Sequence, residues 1–250
     1  MKRLIAPGLG LAFALVLGPA LAQEPDPKAL VEKAIKAHGG EETLLKLQTA
    51  RTKGSGTVDV MGLSIKFTSE TVQTPTKHKT RMVMDALGQK IDTTEVFDGD
   101  KAWLVLMNKI IDLDGDQLKA MKDSAHASNV ETLVPLLKDK QFTLEALKEE
   151  KVNDKPAVGV RVKAKGQRDV DLWFDKDTNL VVKVARISYD SDSMKDAKYE
   201  AIVTDYKDFG GIKHASKVQV IKDGKKFMEL DITDVKPVDK VDGKEFARPL

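Results

Sequence analysis

The side chains that could do chemistry here are four histidines, 39 acids and scattered hydroxyls; cysteine is absent. That absence excludes disulfide scaffolds, zinc ribbons, iron–sulfur clusters and thiol nucleophiles. His38, His78, His126 and His214 lie far apart in sequence, so none forms the close pair that a helical metal site uses. His38 reads as a cation at a helix C-terminus, where the dipole favours positive charge. His126 reads as a solvated residue in the polar stretch Asp123 to Asn129. Ser124 and His126 are sequence neighbours, but residues two apart on a helix do not face each other, so nearness makes no nucleophile and base. Asp112-Leu113-Asp114-Gly115-Asp116 resembles the start of a calcium loop but lacks the closing glutamate. It reads better as a strand-to-helix turn with an aspartate cap. Asp190-Ser191-Asp192-Ser193 reads as a solvated hairpin loop. HExxH, G-x-S-x-G, P-loop and G-x-G-x-x-G patterns are all missing, and nothing selects a catalytic pair among the acids. The expectation is a binding protein with no catalytic residue, no metal and no cofactor.

Composition narrows the partner. The net charge of +2 on 250 residues is too small for a nucleic-acid surface. Both basic residues of that surplus fall in residues 1–22, which read as a secretory signal peptide. Lys2 and Arg3 form the positive region, Leu4 to Leu17 the apolar stretch, and Pro19-Ala20-Leu21-Ala22 the small-residue cleavage site. The apolar stretch is short of the roughly 20 residues of a spanning helix. No cysteine follows to be acylated, so the mature chain from Gln23 is expected to be exported, periplasmic, soluble and not lipid-anchored. It retains 39 bases against 39 acids, and charge identifies no ligand.

The elements must then place whatever binds. Asp26 to Gly40 is helical, with Pro27 after an Asp26 N-cap and an apolar stripe through Leu30, Val31, Ala34, Ile35 and Ala37. Glu41 to Leu47 adds a short helix. From Thr49 to Leu113 the period falls to two: Leu63, Ile65 and Phe67 alternate with Ser64, Lys66 and Thr68. Further strands centre on Met82–Met84, Ile91–Phe97 and Trp103–Met107. The last run does not alternate, so both its faces should be covered. Helices interrupt from about residue 116 to 138 as two short apolar segments joined by a polar stretch, and Pro135 should kink or end the second. Strands resume from Gln141 to Val235, with Val158, Val160 and Val162, then Val170, Leu172 and Phe174, then Met228, Leu230 and Ile232 on alternate positions. Trp173 falls on the outer face. Strands at this spacing make an antiparallel meander, curled or closed. No linker or repeat divides the chain, so 23–250 reads as one domain. Met82, Met84, Met107, Met121 and Met228 suit an adaptable apolar surface.

Several motifs carry a resemblance. Thr74-Pro75 leads into the strand Lys77–Asp85. Phe97-Asp98-Gly99-Asp100-Lys101-Ala102-Trp103 has the form D-G-x-x-x-W, and Thr132-Leu133-Val134-Pro135-Leu136-Leu137 has that of a kinked lid helix. Asp169 to Val184 is hairpin-like, and Glu245-Phe246-Ala247-Arg248-Pro249 ends the chain as F-x-x-P. With the order of elements, these resemble the bacterial LolA/LolB-like lipoprotein-localisation superfamily over nearly the whole mature chain. The resemblance implies a mainly β (α+β) fold: an unclosed antiparallel β-barrel of about eleven strands, with an N-terminal helix and inserted helices as a lid. It implies a periplasmic carrier that shelters acyl chains of a lipoprotein or another lipid, moving them toward the outer membrane. The alternative is a sensor or partner-binding module of the cell envelope on the same fold. Expected partners are the acyl chains, envelope donor and acceptor proteins, and a transient membrane surface, with the chain a monomer. The cavity would be lined by Leu63, Ile65, Phe67, Met82, Met84, Trp103 and Val105. The lid would carry Leu118, Met121, Leu133, Pro135, Leu136 and Leu137. Carriers of this group have an arginine before the strand-opening proline; here that position is Thr74.

Overall fold

A computed structural model describes residues 26–60 and 62–248. The segment 1–22 read as a signal peptide, Met61 and Pro249 of the closing motif lie outside the described residues.

The chain opens with α1 (Pro27–Ala37), whose N-cap Asp26 accepts a hydrogen bond from the Lys28 amide at 3.0 Å. Its Leu30, Val31, Ala34 and Ile35 stripe is buried. Helix α2 (Glu41–Leu47) follows across Gly39 and Gly40, both at positive φ. Six strands come next: β1 (Ala50–Val60), β2 (Leu63–Gln73), β3 (His78–Ala86), β4 (Gln89–Phe97), β5 (Ala102–Leu106) and β6 (Lys109–Leu113). Helices α3 (Gly115–Glu131) and α4 (Pro135–Lys138) interrupt. Seven strands complete the sheet: β7 (Phe142–Val152), β8 (Lys155–Ala164), β9 (Val170–Asp175), β10 (Val181–Asp190), β11 (Lys195–Asp208), β12 (Lys213–Lys222) and β13 (Lys225–Pro237). A 3-10 turn spans Gly243–Phe246.

All strands join one antiparallel sheet in the order β6-β5-β4-β3-β2-β1-β13-β12-β11-β10-β9-β8-β7. The fold is mainly β with helices, and the sheet is not closed. Its two edges, β6 and β7, are the strands flanking the inserted helices. Its middle is the pairing of the first strand with the last, from Ala50↔Pro237 to Val58↔Met228 with a bulge at Lys53/Gly54. Gly56 in that seam admits no side chain, because a Cβ would overlap the Glu229 carbonyl. The strand count is thirteen rather than about eleven. One strand the sequence reading passed over is β6, reached through a tight turn with Met107 and Asn108 both at positive φ.

Directly paired residues share a face of a sheet. The pairings therefore put Leu63, Ile65, Phe67, Met82 and Met84 on one face, with Ile91, Phe97, Ala102 and Leu104. This is the concave face, and the helices cover it. Helices α1, α2 and α4 and the end of α3 bury Val158, Val160, Val162, Val170, Leu172 and Phe174 in the main core. The first half of α3 sets Met121 against Phe97 and Ala102. On the convex face, Trp103 packs with Val72, Val96 and Phe246, so the 3-10 turn closes over it. Trp173 packs there with Val152, Ala157 and Ala185.

The inserted helices differ from the expected pair. Helix α3 runs unbroken through Asp123 to Asn129, the stretch read as a polar joint, because Asp123 is buried beside the Arg168 guanidinium and Ala127 and Val130 pack into the core. The break falls at Leu133, fully buried at φ 63. Pro135 does not kink a helix; it starts α4, where its missing N–H leaves nothing unsatisfied.

Exposed apolar side chains gather on hairpin tips at one end of the sheet. Antiparallel connection places the turns at Leu87-Gly88, Met107-Asn108, Ser191–Met194 and Asp223-Gly224 at one end of the sheet. Leu87, Met107 and Met194 stand 93%, 67% and 75% exposed there. The opposite end has polar turns at Asp98–Lys101, Asn153-Asp154 and Lys176–Asn179.

Candidate functional site

Between the concave face and the helices lies a cavity of about 380 Å³. Its walls come from the middle of the sheet and the half beyond it: Val181 and Val184 on β10, Ala201 and Val203 on β11, Val218 on β12, and Leu230, Ile232 and Val235 on β13. Ala50, Thr52, Thr71 and Gln73 complete the floor from β1 and β2, while Leu44, Leu47, Ser128, Glu131 and Thr132 look in from α2 and the end of α3. The lining is predominantly apolar with a few polar groups, as in sites that bind small ligands.

One corner is polar. His38 ends α1 and is buried, its Nδ1 donating to the Ala34 carbonyl at 2.8 Å. Its Nε2 lies 3.3 Å from the Tyr206 hydroxyl, which donates to the Val181 carbonyl at 2.6 Å. His214 on β12 donates from Nδ1 to the Ala215 carbonyl at 2.8 Å. Burial holds both imidazoles below the ordinary histidine value against these hydrogen bonds, and nearby His214 and Lys213 push His38 further down. His38 is thus a neutral buried cap and not a helix-end cation, a correction that follows from Tyr206 covering it. Glu131 is exposed to solvent at the cavity wall, and desolvation by the protein around it raises its carboxyl pKa, partly opposed by Arg186. Burial, then the Glu131 charge, raises the Tyr206 phenol.

Above the cavity, α3 is tied down at its middle. The Arg168 Nε lies 2.8 Å from Asp123 Oδ2, and its two Nη atoms donate to Asp196 at 2.9 Å each. Arg186 reaches the Asp123 carbonyl at 3.5 Å and Ser124 Oγ at 3.2 Å. Thr74, which stands before the strand-opening proline, spends its hydroxyl within its own turn on Lys77. His126 is stacked on Phe142, with centroids 6.0 Å apart, and is not a solvated side chain.

The expected cavity residues divide three ways. Leu63, Ile65, Phe67, Met82 and Met84 share the concave face but lie outside the cavity. Trp103 and Val105 require correction: pairing with Val96 and Thr94 turns them to the convex face. Their run is apolar on both sides, so it carries no period from which to choose a face. Of the lid residues, Leu118 and Met121 pack against the β4–β5 hairpin, Leu133, Leu136 and Leu137 join the main core, and Pro135 opens α4. The α3 residues that face the cavity are polar, namely Ser128, Glu131 and Thr132, and a search for apolar lid residues passes over them. The alternation of Met228, Leu230 and Ile232 was the available signal for the β13 wall.

Among the described residues no cluster of three or more His, Asp or Glu could hold a metal ion, and no helix is long and apolar enough to cross a membrane. No family model and no curated protein matches the chain. Solved structures do. A DUF1329 family protein from Desulfovibrio piger superposes with a TM-score of 0.57 at 13% identity, over 89% of this chain and 98% of the other. A LolA superfamily protein from Nitrosomonas europaea gives 0.56 at 12% identity, over 88% and 97%. An outer membrane lipoprotein-sorting protein domain from Vibrio parahaemolyticus gives 0.51 at 12% identity, over 88% and 95%. At these identities the likeness is one of fold, and the chain has the LolA/LolB-like fold.

Proposed function

We propose that residues 23–250 form one exported, periplasmic carrier domain, released from the signal peptide at 1–22. It shelters acyl chains of a lipid or lipoprotein on their way toward the outer membrane. The observation that carries this reading is the apolar cavity of about 380 Å³ under a strapped helix. Each CH₂ withdrawn from water is worth roughly 0.8 kcal/mol, so a long chain gains on the order of 10 kcal/mol before ordering costs. Such a chain crosses an aqueous compartment only inside a dry concavity. Phe67, Met82 and Met84 extend the same face beyond the cavity, and we assign them to the path by which a chain enters. The reading includes no catalysis and no cofactor.

Mass spectrometry of the purified protein under non-denaturing conditions tests it. Co-purifying lipid is expected, together with saturable binding of a fluorescent alkyl probe. Val184→Trp, which fills the cavity, should abolish that binding. A lipid-free protein that binds no such probe would overturn the reading.

A further inference from the structure

The cavity's volume limits how much chain it takes, and its polar corner limits what head that chain carries. A cavity of roughly 150 Å³ holds one benzene. Scaled by carbon number, about 380 Å³ takes on the order of fifteen carbons, one long alkyl chain and not the several of a phospholipid or lipoprotein anchor.

The corner is short of hydrogen-bond donors. With Nδ1–H of His38 committed to Ala34, its Nε2 is a bare acceptor, and the one Tyr206 proton that could serve it is given to Val181. His214 is fixed in the same tautomer by Ala215, which leaves its Nε2 as an acceptor with no described partner. Glu131 makes no hydrogen bond or ion pair with a described residue and faces the same space. Its carboxyl, whose pKa desolvation raises, accepts hydrogen bonds and, when protonated, donates one. A carboxylate or phosphate head would bring acceptors alone to this corner. A hydroxyl head brings the donors it lacks. The cations within reach are Lys213, exposed at the cavity wall, and Arg186, which is directed to α3.

We propose that His38, His214, Tyr206 and Glu131 form a headgroup subsite for a single-chain amphiphile whose uncharged head presents hydroxyl groups, of the monoacylglycerol class. The inference rests on the carrier reading and narrows its ligand.

The experiment is competition for a bound neutral fluorescent alkyl probe on the full mature chain. Monopalmitoylglycerol should displace the probe at about a tenth of the concentration needed for palmitate, the worth of one or two well-made hydrogen bonds. Dipalmitoyl phosphatidylglycerol should not displace it. Glu131→Leu and His214→Phe should each erase the preference while keeping probe affinity, and Glu131→Gln, which still donates, should retain it. Palmitate competing equally or better, or the diacyl lipid competing as well, overturns the subsite with the carrier reading intact. Failure of the probe to bind at all overturns both.

Discussion

At the scale of single residues, the cavity's ionisable groups tie stability to pH. His38 and His214 are held neutral by burial, below their ordinary value of 6.5. As pH falls through that value, the unfolded chain takes up protons that the folded chain refuses, so stability drops. Glu131 acts in the opposite direction: its raised pKa lets the folded chain bind a proton that the unfolded chain binds only at lower pH. The melting temperature should therefore decline from pH 7 to pH 5 with the two histidines in place. It should decline less in a His38→Gln, His214→Gln double variant. Glu131→Gln should make the decline steeper, because the compensating proton uptake is gone. A melting temperature flat across that range in the unmodified chain contradicts the assignment.

At the scale of elements, α3 is held to the sheet by Met121, Ala127 and Val130 in the core and by a polar strap at its middle. Arg168 joins the nearly buried Asp123 of α3 to Asp196 of β11, and Arg186 of β10 grips the same turn. Breaking a buried pair by removing one partner is more damaging than never having had the pair, since a charge is left without compensation. Arg168→Met should lower unfolding free energy by about 3 kcal/mol in urea titration. It should also expose residues 115–138 to limited proteolysis before the rest. Uniform resistance of that segment would show that the pair does not hold it. Elements are also the scale at which the sequence was most informative. The period of two in Leu63, Ile65 and Phe67 and in Val158, Val160 and Val162 picks out strands whose faces the pairings then share. Trp103 and Val105 were turned wrongly because Trp103 to Met107 is apolar throughout. Helix α3 differs from the two short segments expected because Asp123 to Asn129 reads as polar, though Asp123 is buried beside Arg168 and Ala127 lies in the core. The cavity wall was least legible, since it depends on β13 lying beside β1, almost the whole chain apart, and no local pattern encodes that neighbour.

At the scale of the whole molecule, the sheet has two unlike ends. One presents Leu87, Met107 and Met194 on hairpin turns, with Lys90, Lys109 and Lys195 within three residues of them along the chain. Each of the three occupies a positive-φ position that asparagine or glycine fills more readily. Apolar tips with lysines close by in the chain suit the interface of an anionic bilayer, where the tips enter and the ammonium groups stay with the headgroups. Co-sedimentation with phosphatidylglycerol vesicles should detect this. The triple variant Leu87→Ser, Met107→Ser, Met194→Ser should reduce the bound fraction at least tenfold, given roughly 1.5–3 kcal/mol for each side chain fully buried. Equal sedimentation of both proteins would rule out these tips as the contact.

The seam between β1 and β13 also governs when the molecule can exist. A chain emerging N-terminus first, from a ribosome or a secretion channel, releases β1 early and β13 almost last. Until Lys225–Pro237 is out, one side of β1 has no neighbour and the cavity has no β13 wall. Pairings this distant in sequence form slowly, because the intervening loop must close before any contact rewards it. The topology thus acts as a clock: the central seam stays open for nearly the whole length of the chain, and the cavity gains its β13 wall only once the final strand has arrived.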